Sequence, residues 1–134
     1  MAAEAVIAGR DPAGRLRVLL VEDELGSGEV LALILAEHGY EVTLAADGKQ
    51  ALERLEAAAP DLLVTDFMMP VMNGADLIRA VREMPRYREL RVLVISGAPP
   101  SALRAYGLDF NAFLRMPFGL DEFLGAVRAL HGGA

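Results

Sequence analysis

Val18-Leu-Leu-Val-Glu-Asp-Glu24 is the stretch of sequence that decides the fold, because an uninterrupted apolar run leads directly into a run of acids. A second run, Val92-Leu-Val-Ile95, is also apolar throughout and is followed by Ser96. Strands that are apolar at every position, rather than at alternate positions, are typical of parallel sheets covered on both faces. The two runs therefore predict buried parallel strands with helices on each side.

Apolar, branched segments of this kind recur along the chain, and each is predicted to be a strand. They span residues 16–21, 40–45, 61–65, 91–96 and 111–115. The segments between them have the apolar spacing of helices, and Asp47-Gly48 and Asn73-Gly74 mark turns beside helix starts. Alternating strands and helices with right-handed crossovers predict a doubly wound α/β fold. Its simplest form is a five-stranded parallel sheet in the flavodoxin-like order 2-1-3-4-5.

Gly39 is expected to end the first helix, before the second strand. The apolar spacing of a helix is clearest in three later stretches. The predicted buried stripes are Ala51, Leu52, Leu55, Ala58 and Ala59; Leu77, Ile78, Val81 and Met84; and Leu120, Phe123, Leu124, Val127 and Leu130.

The chain has 134 residues, which is room for one domain. We expect a flexible leader over residues 1–15, one domain over 16–131 and a short tail over 132–134, with no attached output domain. The longest apolar run, Val30-Leu-Ala-Leu-Ile-Leu-Ala36, is far below the roughly 18 residues of a membrane span and predicts a buried helix. The N-terminus lacks the pattern of a secretory signal, so we expect a cytoplasmic protein without membrane association.

Composition narrows the possible partners and the chemistry of a site. The net charge of −6 repels nucleic-acid phosphates, which argues against direct nucleic-acid binding and favours protein partners. The chain has no cysteine, so disulfides and thiolate sites are excluded. A functional site must therefore be built from oxygen and nitrogen groups.

Acidic residues follow the first and third predicted strands. Glu22 and Asp23 come after the first strand and Asp66 after the third. Ligands of such sheets bind at the carboxyl ends of the strands, so these three carboxylates should share one crevice. Two like charges about 4 Å apart repel by about 4 kcal/mol at an effective dielectric near 20, so the cluster needs a proton or a cation. Oxygen ligands favour Mg²⁺, and Asp66 is then the best-placed nucleophile for in-line attack on a phosphoryl group. The alternative is that polar residues end strands only because they meet solvent.

The ordered set of motifs resembles the receiver domains of two-component signalling over about residues 16–130. The resemblance rests on Val18-Leu-Leu-Val-Glu-Asp-Glu24, Asp61-Leu-Leu-Val-Thr-Asp-Phe-Met-Met-Pro70, Asn73-Gly74, Val92-Leu-Val-Ile-Ser96 and Met116-Pro-Phe118. It implies a phosphoacceptor that takes its phosphoryl group from a histidine kinase or a histidine phosphotransfer protein and signals to a downstream protein. It implies no turnover enzyme, and a homodimer is possible.

The same resemblance implies a role for each matching residue. Asp66 would be the phosphoacceptor. Asp23, Asp66 and the backbone carbonyl of Met68 would bind Mg²⁺, and Glu22 would act through water. Ser96 would hydrogen-bond the phosphoryl group, and Phe113 would take the aromatic position that follows the switch.

One position departs from the family pattern. Met116 stands immediately before the proline that ends the fifth strand, where the family has a lysine. The only lysine of the chain, Lys49, is expected to lie away from the crevice, and Arg115 should project to the opposite face of its strand. We therefore expect a phosphorylatable receiver with altered switching.

Smaller departures concern the rim of the site and the fourth helix. In the family that the motifs resemble, the positions of Met68 and Ala98 border the attacking water, which neither side chain can orient. The resemblance therefore implies slow loss of phosphate; the alternative is that both residues only pack at the rim. Pro99-Pro100 delays the fourth helix until near Ser101, which is a possible cap, and Gly107 ends it early. Phe110 and Tyr106 are then core residues or exposed contacts.

Two other functions remain open at this point. The first is a pseudo-receiver that acts as a docking module and is never phosphorylated, as Met116 suggests. The second is a phosphohydrolase of the haloacid-dehalogenase type, which would need a second Asp where Met68 stands.

Overall fold

The structure is a computed structural model that describes residues 14–69, 72–105, 107 and 110–131, with only the backbone described for Leu25. Most of the predicted leader, the predicted tail and Tyr106 lie outside the described residues.

Strands and helices alternate along the described chain. The strands are β1 (Arg17–Val21), β2 (Glu41–Ala45), β3 (Leu62–Asp66), β4 (Arg91–Ser96) and β5 (Ala112–Arg115). The helices are α1 (Leu25–Glu37), α2 (Gly48–Ala58), α3 (Gly74–Arg82), α4 (Pro100–Arg104) and α5 (Leu120–Leu130), with a 3₁₀ turn at Pro85–Tyr87.

The five strands form one parallel sheet in the order β2-β1-β3-β4-β5. In the register of the central strands, Val21 pairs with Thr65 and Asp66 pairs with Ile95. The carboxyl ends of β1, β3 and β4 therefore meet at one edge of the sheet. This architecture confirms the predicted doubly wound, flavodoxin-like fold.

Two apolar clusters cover the two faces of the sheet. Helices α2, α3 and α4 pack on one face through residues such as Leu55, Ile78 and Leu103. Helices α1 and α5 pack on the other face, where Leu35 and Phe123 are fully buried. Successive strand residues alternate between the clusters, so strands that face helices on both sides are apolar at every position.

Polar caps fix the helix starts that the turn signals predicted. The Asp47 side chain accepts a hydrogen bond from the Gln50 backbone N–H at 2.8 Å, and Asn73 accepts one from the Asp76 N–H at 2.9 Å. Gly39 follows α1 with φ +92°, a left-handed conformation that glycine adopts without strain. All three signals thus mark helix boundaries.

The prediction that the apolar run 30–36 forms a buried helix is wrong for its outer face. Val30 and Leu33 are 58% and 60% exposed, whereas Leu35 is fully buried. The sheet covers α1 from one side only, so an apolar helix leaves an apolar stripe in solvent. Leu120, predicted in the buried stripe of α5, is likewise exposed at the first turn of that helix.

Strands β1, β2, β3 and β5 each begin one residue later than predicted, and β3 also ends one residue later. Two of the boundary shifts, at α4 and at the start of β3, have a local reason. Helix α4 begins at Pro100 with Pro99 as its N-cap, and Ser101 lies inside the first turn without capping it. Proline suits the first helical position because its φ is fixed and its missing N–H would have had no partner there. Strand β3 begins at Leu62 rather than Asp61, whose carboxylate accepts a hydrogen bond from the Arg17 N–H at 2.8 Å.

Candidate functional site

Three carboxylates meet at the carboxyl edge of the sheet, as the sequence predicts. Glu22 and Asp23 follow β1 directly, and Asp66 is the last residue of β3. One carboxylate oxygen from each residue lies within 4.8 Å of the others. Asp66 is 6% exposed and Glu22 is 8% exposed, whereas Asp23 faces solvent. Two of the three acids are thus buried, and the third lies at the surface.

Backbone hydrogen bonds fix the chain around these acids. The Glu22 N–H donates to the Ala45 carbonyl at 3.0 Å, and the Glu22 carboxylate accepts from the Glu24 N–H at 3.0 Å. The Phe67 N–H donates to the Ile95 carbonyl at 2.9 Å, which holds the chain immediately after Asp66. The crevice is therefore built on strand ends rather than on a free loop.

The Asp66 carboxylate is buried without full hydrogen bonding. Its Oδ1 atom is inaccessible to solvent and has no hydrogen-bond partner among the described residues. Buried polar atoms in native proteins nearly always have a partner, because leaving one unsatisfied costs about 1–3 kcal/mol. Because Asp66 is also one of the residues that line an open cavity, this unsatisfied oxygen indicates a place for a ligand.

The acids raise one another's proton affinity. Burial raises the pKa of Asp66 to about 8, and the neighbouring charges of Glu22 and Asp23 contribute to the increase. Burial also raises the pKa of Glu22. At neutral pH the cluster alone therefore tends to retain a proton, and a cation would replace that proton.

The donor set fits a hard divalent cation. It offers carboxylate oxygens from three residues, one of them Asp66 with its unpartnered oxygen. Mg²⁺ prefers oxygen ligands and keeps several waters, so it is commonly bound through one or two carboxylates together with a phosphate.

The acids form one wall of an open cavity of about 620 Å³. Its acidic residues are Glu22, Asp23, Glu24 and Asp66, and its apolar residues are Val30, Leu31, Ile95, Met116 and Phe118. No lysine or arginine is among the described residues that line the cavity. The charged side chains among these described lining residues are therefore all acidic.

Ser96 is placed next to the site but not in the cavity wall. Its side chain is fully buried, and its hydroxyl oxygen accepts a hydrogen bond from the Ala98 N–H at 3.0 Å. The hydroxyl keeps its own hydrogen to donate. Ser96 thus follows the residue that pairs with Asp66 in the sheet, and its predicted contact with a phosphoryl group stays a prediction.

The positively charged candidates lie outside the cavity wall. Arg115 is exposed and its Nε donates to the Gly97 carbonyl at 3.3 Å. Lys49 is exposed in the first turn of α2. Met116, which is 39% exposed, lines the cavity in place of either cation.

The other residues singled out by the sequence have defined places. Phe113 is half-buried on β5 and packs with the cluster that contains Leu103 of α4. Met68 is 66% exposed, while Ala98 and Phe110 are partly buried against the same cluster. Phe110 is thus a core residue, which is one of the two predicted alternatives.

The apolar wall of the cavity was missed by reasoning from the sequence. The sequence indicates Val30 and Leu31 only as parts of a helix and Phe118 only as part of a motif. The available signal was the apolar run of α1, since a helix on one face of a sheet cannot bury residues all round. Val30, an exposed apolar residue of α1, lines the same cavity as the acids.

Comparison with known proteins identifies the family. Residues 18–128 match the sequence profile of the response regulator receiver domain. The chain belongs to the response regulator receiver family. It is 38% identical over 117 residues to the response regulator MprA of Mycobacterium ulcerans, a match that covers 86% of this chain and 50% of that protein. The receiver chain thus spans about half the length of the curated relatives it matches.

Solved receiver structures share the architecture. The chemotaxis protein CheY4 of Vibrio cholerae aligns with a TM-score of 0.80 at 28% identity, over 87% of this chain and 98% of that one. The receiver domain of the sensor histidine kinase PA1611 from Pseudomonas aeruginosa aligns equally well, with a TM-score of 0.80 at 28% identity over 88% and 98% of the two chains. That structure has a magnesium ion coordinated in its active-site cleft. Among the described residues of the present receiver, no helix has the length and apolar character to span a membrane.

Proposed function

We propose that this receiver domain accepts a phosphoryl group on Asp66 in a Mg²⁺-dependent reaction. The observation that carries the proposal is the buried Oδ1 of Asp66, which has no hydrogen-bond partner within the part of the chain that the structure describes and belongs to a residue lining the open cavity. Receiver domains of two-component systems serve as phosphoacceptors as a family. The burial of Asp66 at the cavity and its place in the acidic cluster support the assignment of that role to Asp66 in this chain.

The metal set that we propose is Asp23, Asp66 and the backbone carbonyl of Met68, with Glu22 acting through water. The oxygen-only cluster and the Mg²⁺ in the PA1611 cleft support this assignment. When bound, Mg²⁺ supplies positive charge that lowers the proton affinity of the acids and stabilises the phosphoryl oxygens.

The transfer itself is a displacement at phosphorus. An ionised Asp66 oxygen attacks the phosphorus of an N-phosphoimidazole, the O–P bond forms and the N–P bond breaks. The bonding pair stays on the departing nitrogen, and the imidazole leaves neutral because its other nitrogen already carries a proton. Asp66 must be ionised to attack, so its raised pKa has to be brought down in the loaded site.

The donor that we propose is a histidine kinase or a histidine phosphotransfer protein, and the output goes to a downstream protein rather than to nucleic acid. Ser96 then donates its free hydroxyl hydrogen to the phosphoryl group, and Phe113 responds through the α4 side of the core. We place the protein in the cytoplasm, where such kinases present their phosphohistidines.

We further propose that switching in this receiver is altered. A charge-assisted hydrogen bond to a phosphoryl oxygen contributes about 1.5–3 kcal/mol, against about 0.5–1.5 kcal/mol for a neutral hydroxyl such as Ser96. Met116 can supply neither. Chemistry at Asp66 is retained on this account, while its coupling to conformation is weakened.

Incubation with acetyl phosphate and Mg²⁺, followed by intact-mass measurement, tests the proposal. The wild type and Asp121→Asn, which changes an exposed Asp of α5, are expected to gain one phosphoryl group, and Asp66→Asn none. The absence of an adduct on the wild type would overturn the proposal and favour the docking module. Continuous release of phosphate would instead indicate a phosphohydrolase.

A further inference from the structure

The cavity beside Asp66 combines negative charge with an apolar wall. Four acidic side chains line it, and no lysine or arginine does so among the described residues. The proposed phosphorylation converts the ionised Asp66 carboxylate into an aspartyl phosphate with about 1.5–2 negative charges at neutral pH, so it adds up to about one further negative charge. Bound Mg²⁺ offsets only part of this total, so the loaded site attracts another cation.

A second observation points to a ligand at this place. Asp66 is 6% exposed, lines the cavity and has one oxygen without a hydrogen-bond partner among the described residues. The cavity of about 620 Å³ is open above it. A hydrogen-bond donor of a partner molecule can therefore approach Asp66 through this opening.

The apolar residues of the cavity indicate which kind of hydrogen-bond-donating side chain fits. Val30, Met116 and Phe118 line the same cavity as the acids, and Val30 and Met116 are exposed. Lysine and arginine carry a charged head on an aliphatic stem that packs well on apolar surface. A cavity with one acidic and one apolar wall is complementary to both parts of such a side chain.

We propose that a lysine or arginine side chain of a partner protein inserts into this cavity. Its stem lies on Met116 and Phe118, and its cationic head faces Asp66. The partner thereby supplies a positive charge, which none of the described residues lining the cavity carries. This inference rests on the proposed function, since it assigns the partner chemistry that reads phosphorylated Asp66.

The arrangement couples partner binding to phosphorylation. The cation gains more attraction when Asp66 carries a phosphoryl group, so the modified receiver binds the partner more tightly. Coupling of binding free energies is reciprocal, and the bound partner therefore also stabilises the phosphorylated form. The phosphorylation signal is then transmitted because the partner's cation binds the phosphorylated site, rather than through a conformational change within this chain.

A pair of short peptides tests the inference. The probes are acetyl-Gly-Arg-Gly-amide and its citrulline analogue, which has nearly the same shape without the charge. Each is titrated into the receiver with Mg²⁺, with and without beryllofluoride as the phosphoryl mimic, and binding is followed by the NMR signal of the Ile95 methyl group in the cavity wall. With beryllofluoride, the arginine peptide should bind at least about tenfold more tightly than the citrulline peptide, and at least about tenfold more tightly than without beryllofluoride.

Matched variants locate the effect. Met116→Lys places a cation in the cavity wall and should abolish the preference for arginine, whereas Met116→Leu should retain it. Leu120→Lys adds the same charge at an exposed position that does not line the cavity, so it should also retain the preference.

Two outcomes overturn the inference. Equal binding of the two peptides would show an apolar or nonspecific contact, and equal binding with and without beryllofluoride would show that the cavity does not read the phosphoryl state. The ¹⁹F signal of bound beryllofluoride distinguishes failure of this inference from failure of the proposed function. If that signal is present and the peptides bind alike, only this inference fails; if it is absent, the proposed function fails with it.

Discussion

The Cβ that Gly74 lacks would lie 2.9 Å from the backbone carbonyl oxygen of Asp66. It would also lie 2.9 Å from the Cα of Phe67, and the Gly74 N–H donates to the Phe67 carbonyl at 2.8 Å. Helix α3 therefore begins against the backbone that carries the phosphoacceptor. A side chain at this position has no room unless one of the two backbones moves.

Gly74→Ala should accordingly destabilise the protein by about 1–3 kcal/mol, as overpacking of backbone against backbone does. The measurement is urea unfolding followed by circular dichroism. Gly125→Ala is the matched control, because the added Cβ meets nothing within 4 Å in the middle of α5. That control should gain about 0.5–1 kcal/mol from better helix propensity, and equal stability of the two variants would contradict the account.

The raised pKa of Asp66 predicts a pH-dependent effect of Asp66→Asn on stability without metal. The folded carboxyl keeps its proton up to about pH 8, whereas the unfolded one loses it near the ordinary value of 3.8. Its contribution to stability is therefore fully present below the unfolded pKa and is lost as pH rises toward 8. Asparagine does not titrate, so the melting temperature of the variant should increasingly exceed that of the wild type between pH 5 and about pH 8.

The experiment uses thermal unfolding with a chelator present, with Asp121→Asn as a control for surface charge. A difference between Asp66→Asn and the wild type that stays constant or narrows with rising pH would refute the assignment of the raised pKa to Asp66.

Mg²⁺ should reverse the destabilisation at high pH. A ligand that binds only the folded state stabilises it by about 2.7 kcal/mol at a hundred times its dissociation constant. The wild type should therefore melt at a higher temperature in Mg²⁺ than in sodium chloride of equal ionic strength. Asp23→Asn should lose most of that gain, and Glu37→Gln, at the exposed end of α1, should keep it. An equal gain in both variants would place the cation elsewhere.

Arg82 is predicted to stabilise the segment that leads into β4 and to connect it to Asn111, the residue before β5. One of its nitrogens donates to the carbonyls of Tyr87, Arg88 and Leu90 at 3.3, 3.1 and 2.6 Å, and the other donates to the Asn111 side chain at 3.4 Å. Arg82→Ala should cost about 1–3 kcal/mol, because it leaves backbone acceptors unsatisfied.

The matched control for Arg82 is Arg79→Ala on the same helix. Arg79 forms an exposed ion pair with Asp76 at 3.8 Å, which is expected to contribute less than about 1 kcal/mol. Urea unfolding compares the two variants, and similar losses would show that Arg82 has no special role.

Met116→Lys should strengthen the conformational response of the receiver. The response is read as the shift of the Phe113 ring signals on adding beryllofluoride with Mg²⁺. Leu120→Lys controls for added charge and should respond as the wild type does. If the wild type and Met116→Lys respond equally, the proposal of altered switching is wrong.

The fold was predictable because its signals are local and repeated. Apolar runs such as 18–21 and 92–95 identify strands covered on both faces, and Asp47 and Asn73 form the helix caps beside the turns that the sequence marks. The meeting of Glu22, Asp23 and Asp66 follows from parallel topology, since residues after adjacent strands must share one edge.

Features that depend on packing between distant segments were not predictable. The apolar run of α1 indicated that part of this helix would be exposed, but which residues are exposed, Val30 and Leu33 among them, depends on how α1 rotates on the sheet. The cavity wall likewise depends on where α1, Met116 and Phe118 come together. Asn73-Gly74 indicated a turn, but the close approach of Gly74 to Asp66 required coordinates. The Arg82 contacts likewise join residues that no spacing rule connects.

The most direct test of the central claim is chemical mapping of the acyl phosphate. The receiver is phosphorylated with acetyl phosphate and Mg²⁺, reduced with borohydride, which converts an aspartyl phosphate into homoserine, and sequenced by mass spectrometry. The account predicts homoserine at position 66 and unmodified Asp23. Homoserine at another aspartate, or none at all, would contradict it.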